Sequence, residues 1–288
     1  MATTSDSRPG GGTARDDGHD NRLVERILET CRGLLREQDG YEVYPFQIDW
    51  YNEVVAKPFQ FATDEVPGEN LAVLVLSTPK MFLRSFVPWL SELLAKMDTE
   101  AEEVDPLNKF MTEKMESVAE TLKAAEPTKR LELEVCHDFD LWPSRRPKIL
   151  MQSVGHASGA TYFYRPSSAV RIPQPTGGEG DDASQKKYLG LSLHPKYGGW
   201  FAFRAVFLLK NVSANKLVRH EPLRGLPEDK VAEALHLFNL HWRDNRYRDV
   251  CVVEESYDHT QREFFRTMPK DRWQLLKKWK AEGLLKKG

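Results

Sequence analysis

The sequence predicts an α+β fold with a single main domain, and three observations carry that expectation. LAVLVLS at 71–77 is a continuous apolar run bounded by Gly68 and Pro79, the pattern of a strand covered on both faces. LELEVC at 131–136 alternates with period two, and the stretch 188–209 is rich in aromatic and branched residues, so further strands follow it. Helical patterns lie between these strands without strict alternation, which argues against a doubly wound sheet.

Residues 1–20 are Gly, Ser, Thr and Asp with almost no bulky apolar side chain, so a disordered tail is expected. The domain is expected to start at Asn21. Leu23, Val24, Ile27, Leu28, Cys31, Leu34 and Leu35 recur at helical spacing, which predicts a first amphipathic helix. Residues 80–125 read as helices around a break at Pro106. YLGLSL, the turn HPKYGG and WFAFRAVFLL read together as a hairpin over 188–209. The loop 171–187 is expected to be mobile. Pro227 opens a helix whose Val231, Leu235, Phe238 and Trp242 share one stripe. The domain is taken to end at 275, before a basic tail over 276–288.

Composition narrows the function by exclusion. The chain has 288 residues, enough to bury a real core without a disulfide framework. Its 41 Lys and Arg against 43 Asp and Glu create no field favouring nucleic acid or an anionic membrane. Cys31, Cys136 and Cys251 are widely spaced, which fits a reducing compartment. The longest apolar stretches, 71–76 and 200–209, fall short of the roughly 20 residues that span a bilayer. The first twenty residues lack the apolar core of a secretory signal, so a cytoplasmic protein is expected.

Common catalytic signatures are missing from the sequence. It has no GxxxxGK[ST], no GxGxxG opening a helix after a strand, no HExxH and no GxSxG. His236 and His241 are five positions apart, which on a helix puts them about 140° apart, and structural roles are expected of them. His156 and Gly159 match half of an Asp-x-His-x-x-Gly cobalt motif, but Val154 stands at the Asp position. No carboxylate is then supplied to orient the imidazole, and His156 is not expected to ligate a metal. Small residues at 153–160, between a basic entry and Tyr162, Phe163 and Tyr164, admit two readings: walls for a flat ligand, or close helix packing on the sheet. Arg204 sits in the apolar run WFAFRAVFLL, with Ala202 on its face and Phe201 and Phe203 on the other. A charge there is costly to bury unpaired, so it calls for an anion.

Five blocks in order, YEVYPFQIDWYNE, LSTPKMF, RRPKIL with GHASGATYFY, HPKYGGWFAFRAV, and FNLHWRD with YRD, resemble the cblC-type cobalamin-processing family, also called cyanocobalamin reductase and alkylcobalamin dealkylase. The resemblance runs from about Tyr41 to about Arg272. It implies a flavin-nitroreductase-like fold, a mixed sheet flanked by helices, that binds cobalamin base-off. It further implies decyanation with electrons from FAD or FMN, and dealkylation to glutathione. It places glutathione on Arg204, Arg248 and Arg272. It places cobalamin against Asp138, Ile149, Leu150, Met151, Gln152, Phe163, Tyr164, Arg165, Ser192 and Phe203, with His156 as a further contact. Gln152 or His156 is expected to hold the displaced nucleotide tail. Ser192 and Phe203 stand where mammalian relatives carry Cys and Ile. The partners it implies are a cblD-type trafficking protein and the methionine synthase pathway, for a monomer or ligand-dependent homodimer. The competing readings are a cobalamin escort without turnover and a plain flavin reductase. Oxidation of glutathione in air is a side expectation.

Overall fold

In the computed structural model the described residues are 17–62, 65–96, 104–126, 130–166 and 188–285. The expected loop 171–187 and most of the expected tail lie outside them. The helical spacing noted above becomes α1 (Asp17–Leu34), with Leu23, Ile27 and Cys31 fully buried. This helix takes up residues 17–20, which the sequence reading gave to the tail. β1 (Tyr41–Gln47) leads directly into the short helix α2 (Ile48–Val54). β2 (Asn70–Ser77) is buried at every position, as its unbroken apolar run requires. Leu71, Val73 and Val75 face one layer of helices, and Ala72, Leu74 and Leu76 face the other. Each of these side chains contributes about 1.5–3 kcal/mol on burial, Ala72 excepted.

After one π-helical turn the chain forms α3 (Val87–Lys96) and then α4 (Pro106–Ala125). Pro106 starts α4 because its missing N–H lies among the unpaired donors of the first turn. The Asp105 carboxylate caps that turn, accepting from the Leu107 and Asn108 amides at 3.0 and 3.1 Å. β3 (Leu133–His137), α5 (Met151–Ala157), β4 (Tyr162–Tyr164), β5 (Leu191–Leu193) and β6 (Ala202–Ser213) follow. The chain continues through α6 (Glu228–Leu240), α7 (His259–Arg266) and α8 (Arg272–Ala281).

The main sheet is antiparallel with strand order β1-β2-β6-β3. Residues of α1, α3, α4, α7 and α8 cover one face, while α2 and α5 cover the other. A two-stranded sheet of β4 and β5 packs with α6 around a smaller cluster that includes Tyr164, Leu235 and Tyr247.

Four sequence expectations change. The hairpin over 188–209 does not form: β5 pairs with β4, and β6 enters the main sheet. The turn between them closes on itself through His194 and Gly198, and Gly198 adopts φ +55° with the Arg248 carbonyl where a side chain would stand. The basic segment after 275, whose pattern reads as a fraying helix, belongs in its first part to the domain. Trp273, Leu276 and Trp279 of α8 are buried in the main core. Trp242 leaves the α6 stripe, because the helix ends at Leu240 and Trp242 opens an exposed 3-10 turn. For the same reason His241 turns back toward His236, and their ring centroids lie 5.4 Å apart.

Candidate functional site

β6 carries a β-bulge where the site begins. Val75 pairs with Ala205 and Leu76 with Phe203, so Arg204 is the extra residue. Strict alternation from Ala205 would have turned Arg204 toward α5 and Phe203 away from it. The bulge reverses both directions. Phe203 lies under α5, so close that a Cβ on Gly155 would stand 2.6 Å from its ring. Arg204 instead points to the side of Ser77, donating from Nε to Ser77 Oγ at 2.7 Å.

Arg204 is 5% exposed, its second Nη carries no hydrogen bond, and no ion pair reaches it among the described residues. No carboxylate of the described residues therefore contacts it directly. Asp138 is its strand neighbour, donating its amide to the Arg204 carbonyl at 3.1 Å; desolvation raises the Asp138 carboxyl pKa and the nearby Arg204 charge partly offsets that, although no direct ion pair forms between them.

Of the residues expected to touch cobalamin, His156, Phe163, Tyr164 and Arg165 line one cavity of about 450 Å³ with Arg224. Phe163 pairs across the small sheet with Ser192, whose buried hydroxyl has no partner. Arg165 stacks 5.1 Å over the Phe163 ring, and Arg224 lies 5.7 Å over Tyr162. His156 accepts from the Phe163 amide through Nδ1 at 3.4 Å, and burial followed by nearby Arg165 lowers its pKa. Gln152 is committed elsewhere, donating to the Gly190 carbonyl at 2.9 Å. Ile149, Leu150 and Met151 lead into α5 and pack in the layer beneath it; they do not line this cavity. The packing reading of the small-residue stretch is realised on one side of α5, and a cavity opens on the other. Ser153, Val154, Gly155 and Ala157 are the packed side of α5, and His156 faces the opening.

A second cavity, about 730 Å³, contains Arg248 and Arg272 but not Arg204. Arg248 lies over three rings, 5.0 Å from Tyr247, 5.3 Å from Trp200 and 5.4 Å from Tyr257. Its hydrogen bonds go to neutral acceptors, the Gly199 carbonyl and Asn245 Oδ1. Arg272 is already paired, its Nη1 binding the Asp105 carboxylate at 2.7 Å. That aspartate caps α4 with its other oxygen, so this ion pair joins α4 to α8.

One group of residues escaped the sequence reading. Glu42 of β1 accepts from Tyr44 at 2.5 Å, from His194 Nε2 at 3.0 Å and from Tyr197 at 2.9 Å. The Lys196 amide donates to His194 Nδ1 at 3.1 Å, which leaves the proton of the neutral ring on Nε2. Burial alone would raise the Glu42 carboxyl, but the hydrogen bonds from His194, Tyr44 and Tyr197 outweigh it and hold it at about 2. His194 stacks on Tyr197 and meets Phe201, which in turn meets Phe203. The cluster therefore mounts the turn that follows β5 against β1 and supports the aromatic wall beneath α5. Glu42 and His194 are 152 positions apart, so no local pattern announces them.

The bulged strand, the aromatic cavity and the arginine-lined cavity define an α+β protein with two separate concave sites, one walled by aromatic rings and one lined by arginines. Comparison with known proteins gives the same grouping as the sequence blocks. The model of the methylmalonic aciduria and homocystinuria type C family matches residues 40–276, and the chain belongs to that family. A Gallus gallus relative named cyanocobalamin reductase / alkylcobalamin dealkylase is 36% identical over 255 residues, covering 88% of this chain and 97% of the relative. The Homo sapiens protein of that name is 37% identical over 239 residues, covering 82% of this chain and 76% of its own length. The crystal structure of a Caenorhabditis elegans B12-trafficking protein CblC matches with TM-score 0.74 and 33% identity, covering 90% of this chain and 97% of that one.

Proposed function

We propose that this protein binds cobalamin with its dimethylbenzimidazole displaced from cobalt and removes the upper axial ligand. Loss of the lower nitrogen donor makes cobalt easier to reduce, and the corrin carries the difficult chemistry. Two reactions follow. In decyanation the electrons would be supplied by reduced FAD or FMN, and as the cobalt of the substrate falls from the +3 state cyanide leaves with its bonding pair. The glutathione thiolate attacks the alkyl carbon, a sulfur–carbon bond forms, and the cobalt–carbon pair stays on cobalt as cob(I)alamin.

Support for the cobalamin part comes from relatives with this activity in their names at 36–37% identity over most of the chain. His156, Phe163, Tyr164 and Arg165 give a cavity with aromatic walls and polar tips, with Ser192 and Phe203 adjoining it. Asp138, Ile149, Leu150, Met151 and Gln152 complete the contact set that the resemblance implies. The observation that carries the thiol part is Arg204, a buried guanidinium held by one serine, with an unpartnered Nη and no carboxylate in direct contact among the described residues. Glutathione brings two carboxylates, and a guanidinium grips such a group bidentately. Arg248 supplies a second cation for it.

The reading includes a flavin-nitroreductase-like frame, a cytoplasmic setting, and delivery toward a cblD-type partner and the methionine synthase pathway. No helix among the described residues is long and apolar enough to cross a membrane. The worm relative's description as a B12-trafficking protein favours a second reading, an escort that carries cobalamin without turnover. Visible spectra separate the two. Addition of protein to methylcobalamin is expected to give the base-off spectrum, and glutathione is then expected to convert it to the cob(I)alamin or cob(II)alamin spectrum. An escort would stop at the first change, and a plain flavin reductase would show neither.

A further inference from the structure

The arginine cavity contains more cations than the resemblance accounts for. Arg243, Arg262 and Arg266 line it together with Arg248 and Arg272, and no carboxylate is among its lining residues. Arg262 and Arg266 are four residues apart on α7 and so share one side of that helix. Arg262 is held in place: its Nε donates to the Tyr257 carbonyl at 2.7 Å, its Nη2 to Ser256 Oγ at 3.1 Å, and it lies 4.3 Å over the Trp200 ring. Arg266 is exposed and makes no ion pair among the described residues. Glu263 stands beside both arginines, on the adjoining cavity of about 490 Å³.

Charge balance then singles out a pair. Arg272 is neutralised by Asp105, and Arg204 is buried in β6 and does not line this cavity. Of the cations that the resemblance assigns, Arg248 is the one in this cavity without an ion pair. A tripeptide thiol with a carboxylate at each end needs two separate cationic sites. We propose that Arg262 and Arg266, in place of Arg272, complete with Arg248 a second carboxylate site for the anionic thiol, the first being Arg204. The arrangement suits a carboxylate: a fixed guanidinium on an indole face, a second reaching from the rim, and aromatic walls that exclude water. This inference rests on the glutathione-dependent reading above.

Trp200 and Trp242 line the cavity, so their fluorescence reports occupancy without turnover. The probes are S-methylglutathione, which cannot donate a thiolate, and its diethyl ester, which lacks both carboxylates. Wild type is expected to prefer the free acid. Arg266→Gln is expected to weaken free-acid binding about tenfold and to shrink the preference over the ester by the same factor, with Arg266→Lys recovering part of it. In demethylation assays the same variant is expected to raise the thiol KM with kcat and the cobalamin spectrum unchanged. An unaltered free-acid preference in Arg266→Gln overturns the α7 site while leaving the thiol reading intact. Failure of wild type to bind S-methylglutathione overturns both.

Discussion

Replacing Arg204 by Met separates a functional charge from a structural one. Arg204 is 5% exposed, with one hydrogen bond to Ser77 and an unpartnered Nη. An unsatisfied buried polar group costs about 1–3 kcal/mol, more for a charged one, while the single bond to Ser77 contributes about 1.5–3 kcal/mol. Methionine follows much of the arginine stem and removes the buried charge along with its hydrogen bond. The fold is therefore expected to hold or gain up to about 2 kcal/mol, a rise in Tm of up to roughly 3–4 °C for a chain of this size. Loss of a charge-assisted contact to a substrate carboxylate is worth about 2–3 kcal/mol, or roughly 30- to 150-fold. Glutathione-dependent demethylation should fall by that factor in kcat/KM, with cobalamin affinity nearly unchanged. Thermal melts, a glutathione titration and a cobalamin titration on one preparation measure all three. A variant destabilised by more than 2 kcal/mol, or one that loses thiol and cobalamin binding equally, would refute the reasoning.

Two further perturbations test the parts around that arginine. The Glu42 carboxyl is held at about 2, below the ordinary carboxylate range, so its contribution is complete above about pH 4.5 and is lost as pH falls toward 2. On the order of 3 kcal/mol should disappear across that window, and Glu42→Gln should flatten this part of the stability profile; parallel acid melts of the two proteins would speak against the cluster. A Cβ at Gly155 would stand 2.3 Å from Thr161 Oγ1 and 2.6 Å from the Phe203 ring, so Gly155→Ala must displace one of them. Overpacking of this kind costs about 1–3 kcal/mol, and a cobalamin affinity lowered more than tenfold in a folded variant is expected; wild-type affinity would show that Phe203 is no wall of the site.

The parts of this fold that rest on local pattern were legible. β2 was plain from its apolar run and α4 from the helical pattern broken at Pro106, and Arg204 stood out as one charge in an apolar strand. What failed depended on distant partners. β5 reads as half of a hairpin until β4 is available to pair with it, and the bulge at Arg204 arises only when β2 is laid alongside. Trp279 is masked in sequence by the lysines around it, although its spacing from Trp273 and Leu276 keeps all three in the core. Arg262 and Arg266 resemble any solvated pair on a helix, and only folding brings them to the ring-lined cavity with Arg248. The site residues named from the resemblance divide in the same manner: His156 of α5 meets Phe163, Tyr164 and Arg165 at one cavity, whereas Met151 and Gln152 of the same helix face elsewhere and Arg272 is engaged by Asp105.

The central claim is methyl transfer from cobalt to a thiolate, and its product is the most direct evidence. Methylcobalamin carrying a labelled methyl group, incubated without oxygen with the protein and glutathione, is expected to yield labelled S-methylglutathione and cob(I)alamin in equal amounts. Base-off methylcobalamin that keeps all of its label in the presence of glutathione would contradict the account and leave the escort reading in its place.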